Sequence, residues 1–146
     1  MKKVSVYTDG ACSGNPGCGG YCAILIYNGN EKIVSGYMNE TTNNQMELLA
    51  VIEGLKALKE PCEVDLYSDS QYVVDAFNKG WLESWRNNNF KLSNNKPVKN
   101  VELWKKLIDL CSVNKVNFIK VKGHADNEYN NRCDKIAVSE YKKISI

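Results

Sequence analysis

The chain has 146 residues, 43% of them hydrophobic and 25% charged, with a net charge of +2. That is one domain's worth of sequence, able to bury roughly two-thirds of its unfolded surface without a disulfide or metal staple. No apolar run approaches the ~20 residues a membrane-crossing helix needs, and the N-terminal MKKVSVYTDG passes straight into an alternating run unlike a signal peptide. The expectation is a soluble, cytoplasmic, single-domain protein spanning residues 1–146.

Val4, Val6 and Thr8 alternate with Ser5 and Tyr7, predicting a strand that ends at Asp9. Five glycines and Pro16 between residues 10 and 20 predict a turn, and residues 21–27 a second strand. Asn28-Gly29 suits a type I′ turn into a third strand at residues 32–38. The period then changes. Leu48, Val51, Ile52, Leu55 and Leu58 form one helical face, with Thr42 or Asn43 as cap and Pro61 as stop.

Residues 63–68 read as a fourth strand ending at Asp69, and Ser70 caps a short helix through Phe77 with Gly80 near its end. Residues 81–86 suggest a further helical turn or two, followed by an Asn/Lys-rich loop to Asn100, which would cap a helix carrying Val101, Trp104, Leu107, Ile108 and Cys111. A fifth strand at 116–122, a polar loop at 123–131 and a final helix bearing Cys133, Ile136, Ala137 and Tyr141 complete the chain. A meander followed by βα crossovers implies an α/β fold: a five-stranded mixed sheet, antiparallel through the first three strands and parallel among the first, fourth and fifth, with helices on both faces.

Cys12, Cys18, Cys22, Cys62, Cys111 and Cys133 include no C-x₂-C pair, and His124 is the single histidine, which argues against a zinc site and for reduced, buried thiols. Charge is unevenly placed. Residues 79–106 carry seven basic and two acidic side chains, whereas the rest of the chain is net acidic. A basic segment on an acidic body suits contact with a polyanion at some remove from an acidic site.

The acidic site follows from element ends. Asp9 and Asp69 each stand just beyond a predicted strand, where open α/β sheets place their chemistry. Glu47 and Asp134 sit on the inward margins of two helices. Four carboxylates cannot converge without a countercharge, and no lysine or arginine holds a matching position on those elements. The inferred countercharge is a hard cation, Mg²⁺ first, and four acids suit two ions about 3.5–4 Å apart, as used for in-line phosphoryl displacement.

Five segments in order, YTDGACSGNPGCGGY (7–21), TTNNQMEL (41–48), YSDSQYV (67–73), KPVKNVELW (96–104) and VKGHADNEYNNRCD (121–134), resemble the type 1 ribonuclease H family over nearly the whole chain. The resemblance implies a ribonuclease H-like fold and a carboxylate set of Asp9, Glu47, Asp69 and Asp134 holding two Mg²⁺ ions, with Mn²⁺ as a substitute. One ion would activate water and the other would stabilise the leaving 3′ oxygen. His124 would assist proton transfer or product release.

The implied reaction is endonucleolytic cleavage of the RNA strand of RNA–DNA hybrids, leaving 5′-phosphate and 3′-hydroxyl ends. The implied partner is the hybrid duplex, with no membrane, no obligate protein partner and a monomeric enzyme. Asn15, Asn43, Asn44 and Gln71 match residues that read 2′-hydroxyls across the minor groove. Thr42 and Asn100 match residues that grip a DNA-strand phosphate. Trp81, Trp85, Arg86, Lys96 and Lys99 fall in the family's basic protrusion, here about residues 80–100, where aromatics meet deoxyribose and cations meet phosphates. Two departures stand out. Asn87, Asn88 and Asn89 replace basic residues of some relatives, which implies weaker, salt-sensitive binding, and Asn131 stands where glutamate is frequent.

Overall fold

A computed structural model describes residues 1–92, 94–122 and 127–143. Its strands are β1 (Lys2–Cys12), β2 (Gly17–Tyr27), β3 (Asn30–Thr41), β4 (Cys62–Ser68) and β5 (Lys115–Lys120). Its helices are α1 (Asn43–Lys56), α2 (Gln71–Asn78), α3 (Trp81–Asn87), α4 (Val101–Val113) and α5 (Glu128–Lys142). The sheet order is β3-β2-β1-β4-β5. β1 pairs antiparallel with β2, and β2 with β3, while β1–β4 and β4–β5 are parallel. The mixed five-stranded sheet read from the sequence is the sheet found.

Alternation along the strands sorts side chains onto two cores. Val4, Val6, Ala23, Leu25, Val64 and Leu66 face one side, where Leu48, Val51, Ile52 and Leu55 of α1, Val73 and Ala76 of α2, and Trp104 and Leu107 of α4 cover them. Cys22 and Ile24 face the other side, against Cys133 and Ala137 of α5. Helices thus lie on both faces, and the site inherits one wall from α1 and another from α5. No described helix is long and apolar enough to cross a membrane.

Local rules explain the element ends. Asn28 and Gly29 adopt φ 50° and 79°, the left-handed pair that a type I′ hairpin requires. Thr42, and not Asn43, caps α1: its side chain accepts from the Gln45 N–H while the Gln45 side chain accepts from the Thr42 N–H, a capping box. Ser70 caps α2 through the Val73 N–H.

The glycine-rich stretch departs from expectation. Only residues 13–16 form the turn, and the glycines on either side belong to paired strands. Their role is clearance. A Cβ on Gly20 would stand 2.0 Å from the Ala137 carbonyl oxygen of α5, and one on Gly19 2.7 Å from Thr41 Cγ2. Absent side chains let α5 lie directly on β2.

The last helix also starts earlier than the sequence suggests, at Glu128, because the Asn127 side chain accepts from the Tyr129 and Asn130 N–H groups. β5 is set slightly earlier in the chain, at Lys115–Lys120. All six cysteines are free thiols; Cys22, Cys62 and Cys133 are buried, and the other three are half-buried. Burial pushes the Cys111 thiol up to about 12.

Candidate active site

β1 and β4 run parallel as neighbours, so their C-terminal ends open at the same edge of the sheet. Asp9 lies near the end of β1, and Asp69 follows β4 by one residue. Glu47 reaches the same point from the first turns of α1. Asp9 and Glu47 are buried, at 5% and 4% exposure, although neither has a basic partner among the described residues. Carboxylate oxygens of Asp9, Glu47 and Asp69 all lie within 4.8 Å of one another. Asp134 of α5 lines the same cleft, of about 630 Å³.

The electrostatic consequence is direct. Burial, then the charges of Asp69 and Asp134, push the Asp9 carboxyl up to about 8. Burial, then Asp9 and Asp69, hold Glu47 well above the usual carboxylate range. One backbone donor partly offsets this: the Gly10 N–H donates to Asp9 Oδ1 at 2.9 Å and also to Glu47 Oε1. An all-oxygen cluster of acids, short of cations, has the donor chemistry of a divalent-metal site.

The polar residues read as substrate contacts divide by position. Asn43, Asn44 and Gln71 line the cleft. Asn15 occupies the β1–β2 turn, and its Oδ1 accepts the Asn43 N–H at 3.1 Å, tying the turn to the start of α1. Gln71 donates through Nε2 to Asp75 at 2.5 Å. Asn100 does not cap α4 with its side chain as expected. Its backbone is left-handed, φ 61°, and its Oδ1 instead accepts from Gln45 Nε2 at 3.2 Å.

The protrusion holds α3 and the following loop. Trp81 is exposed at 37%, whereas Trp85 packs edge-on against the buried Trp104 with ring centroids 5.3 Å apart. Arg86, Lys96, Lys99, Asn87, Asn88 and Asn89 are exposed, and none of the described protrusion residues lines the carboxylate cleft. Asn131 is half-buried on α5. His124 lies outside the described residues.

Tyr72 also lines the cleft, a position that sequence periodicity does not mark. Its place depends on side chains 28 and 32 residues further on, Asn100 and Trp104, that periodicity does not connect to it.

Comparison with known proteins agrees with the geometry. The RNase H family profile matches residues 1–142. The Ribonuclease H of Acetivibrio thermocellus is 63% identical over 145 residues, covering 99% of both chains. A solved type 1 RNase H with the type 2 active-site motif superposes with a TM-score of 0.87 at 27% identity, over 98% of this chain and 74% of that one. An RNase H1 solved in complex with an RNA/DNA hybrid shares the fold, with a TM-score of 0.70 at 24% identity over 98% of this chain and 99% of that one. With cleft, sheet order and a sequence match over nearly the whole chain in agreement, the chain belongs to the RNase H family of hydrolytic nucleases.

Proposed function

We propose that Asp9, Glu47, Asp69 and Asp134 hold two divalent cations, Mg²⁺ in the first instance, with which this ribonuclease H cuts the RNA strand of RNA–DNA hybrids. The observation that carries the reading is the cluster itself: three carboxylates within 4.8 Å, two of them buried, with a fourth on the cleft wall. Such a group is unfavourable until cations neutralise it, and its hard oxygen donors fit Mg²⁺ or Mn²⁺. When bound, such ions supply Lewis-acid stabilisation of the charge that develops in an in-line displacement at phosphorus.

The chain's own residues orient the substrate around that point. Asn43, Asn44 and Gln71 line the cleft with short polar groups suited to ribose 2′-hydroxyls, and Asn15 supports Asn43 from the neighbouring turn. Thr42 and Asn100 grip a phosphate of the DNA strand. Trp81, Trp85, Arg86, Lys96 and Lys99 extend that grip along the protrusion, with Trp81 offering its exposed face to deoxyribose. His124 takes part in proton transfer or product release. The products are 5′-phosphate and 3′-hydroxyl ends, and the enzyme acts as a cytoplasmic monomer. A relative of the same fold has been solved with an RNA/DNA hybrid bound, which supports the substrate class.

The test is a cleavage assay on RNA–DNA, DNA–DNA and RNA–RNA duplexes of one sequence, with Mg²⁺ and with EDTA, for wild type, Asp9→Asn and Asp69→Asn. Metal-dependent cutting confined to the RNA of the hybrid, lost in both variants, is the expected outcome. Activity of either variant within tenfold of wild type overturns the carboxylate assignment.

A further inference from the structure

Three tyrosines stack in a row on the sheet face that carries α5. Tyr7 of β1 lies against Tyr67 of β4 with ring centroids 4.5 Å apart and planes 9° apart. Tyr129 of α5 continues the row on Tyr7 at 4.8 Å and 27°. Each of the three belongs to an element that carries a carboxylate of the cleft. Tyr7 stands two residues before Asp9, Tyr67 two before Asp69, and Tyr129 five before Asp134.

The two ring contacts differ in what they hold. Tyr7 and Tyr67 are register partners in the parallel ladder, and hydrogen-bonded strands lie about 4.8 Å apart whatever their side chains. The backbone already fixes that pair. A helix shares no ladder with the sheet, so the placing of α5 falls to side chains. Its middle is set where Ala137 meets the bare Gly20. Towards its start, Asn130 and Cys133 each donate to a β1 carbonyl, that of Thr8 at 3.5 Å and that of Tyr7 at 3.3 Å. The Asn127 side chain, which caps the helix, is also hydrogen-bonded to the Tyr7 hydroxyl.

Tyr129 is the largest of these contacts and is gripped from two strands. Tyr7 holds its ring from β1. The Arg132 guanidinium lies 5.7 Å from the same ring centroid and donates two hydrogen bonds to Glu31 of β3, at 3.1 and 3.0 Å. Asp134 lies between this braced start and Ala137. A brace is needed there, because the charge of Asp134 acts on Asp9 and repulsion favours a helix swung away from β1.

We propose that Tyr129, stacked on Tyr7, is a positioning residue that keeps Asp134 of α5 at the cleft and so strengthens the cluster's grip on divalent cations. The inference rests on the reading of Asp134 as a metal ligand.

Tyr129→Ala removes the stack. Mn²⁺ binding to the whole protein without substrate, followed by electron paramagnetic resonance, is expected to weaken about tenfold, the size of losing a residue that orients a metal ligand. The Mg²⁺ concentration for half-maximal hybrid cleavage should rise in step, with kcat at saturating Mg²⁺ within about threefold of wild type. Tyr129→Phe keeps the ring and should bind Mn²⁺ within about twofold of wild type. Tyr129→Leu keeps apolar bulk without stacking and should behave as Tyr129→Ala, which covers the case of an alanine variant that does not fold.

Tyr67→Ala removes a ring from the same row on a strand that the ladder holds. It should lower Tm in EDTA and leave Mn²⁺ affinity within about twofold. Wild-type Mn²⁺ affinity in Tyr129→Leu, or an equal loss in Tyr67→Ala, overturns the proposal and leaves the metal reading standing. Undiminished Mn²⁺ binding by Asp134→Asn removes both.

Discussion

Asp9 and Glu47, one on a strand and one on a helix, share a single hydrogen-bond donor, the N–H of Gly10. The two carboxylates are therefore brought together by the closeness of β1 to α1, and a hydrogen bond joins them to each other only while one of them keeps its proton. That closeness depends on residue 10 having no side chain. A Cβ there would stand 2.4 Å from the Met46 carbonyl carbon and 2.5 Å from the Glu47 nitrogen, both backbone atoms that cannot swing aside.

Gly10→Ala should accordingly lose about 3 kcal/mol or more, the upper end of the cost of overfilling a close-packed interior. Urea denaturation measures the loss. Hybrid cleavage should fall further than the fraction unfolded accounts for, because the strand and helix carboxylates move apart.

Without metal, the buried acids make stability depend on pH in a defined direction. The Asp9 carboxyl is raised from its ordinary 3.8 to about 8, so the folded state holds this proton more tightly than the unfolded chain does. Its contribution is fully favourable below about pH 4 and drains as pH climbs toward 8, by a few kcal/mol at most. In EDTA, Asp9→Asn should be more stable than wild type at pH 8 and closer to it at pH 5. Thermal melts at the two pH values check this, and a wild-type advantage at pH 8 would contradict the sign.

Added Mg²⁺ should reverse that trend, because a ligand that binds only the folded state raises stability by mass action. The Mg²⁺-induced rise in Tm is expected to be larger at pH 8, where the ligands are ionised, than at pH 5. The rise should be much reduced in Asp69→Asn.

The two tryptophans of α3 should separate cleanly. Trp85 packs on Trp104, and Trp85→Ala should cost about 2 kcal/mol of stability. Trp81 is exposed, and Trp81→Ala should change stability by less than about 0.5 kcal/mol while weakening hybrid binding. Paired denaturation and gel-shift titrations distinguish the two.

Much of this was legible in the sequence because it is local. Asp9 and Asp69 were marked by where alternation stops, and Glu47 by its place on the margin of an apolar helical stripe. The same signals yielded a mixed five-stranded sheet, antiparallel through its first three strands and parallel among the first, fourth and fifth. Two features escaped because their causes lie far along the chain. Gly19 and Gly20 read as part of a turn, yet they are strand residues kept bare by Thr41 and by the Ala137 carbonyl. Asn100 read as a helix cap, yet its side chain is claimed by Gln45 and Tyr72, 55 and 28 residues away.

The protrusion has a thermodynamic consequence of its own. Its loop is held largely by neighbours in sequence: Phe90 N–H to Trp85 O, Val98 N–H to Phe90 O, and the bridge between Lys91 and Pro97. Among its described residues, Leu82, Trp85 and Val98 are the ones packed into the main core. A segment so attached opens as a unit well before the sheet does, and its amide protons should exchange with solvent at a lower free energy than those of β1 or β4. Charge can therefore be gained or lost there, as the asparagine run at 87–89 illustrates, with little penalty to the catalytic sheet. The charge carried by this segment and the durability of the sheet are set by separate parts of one small chain.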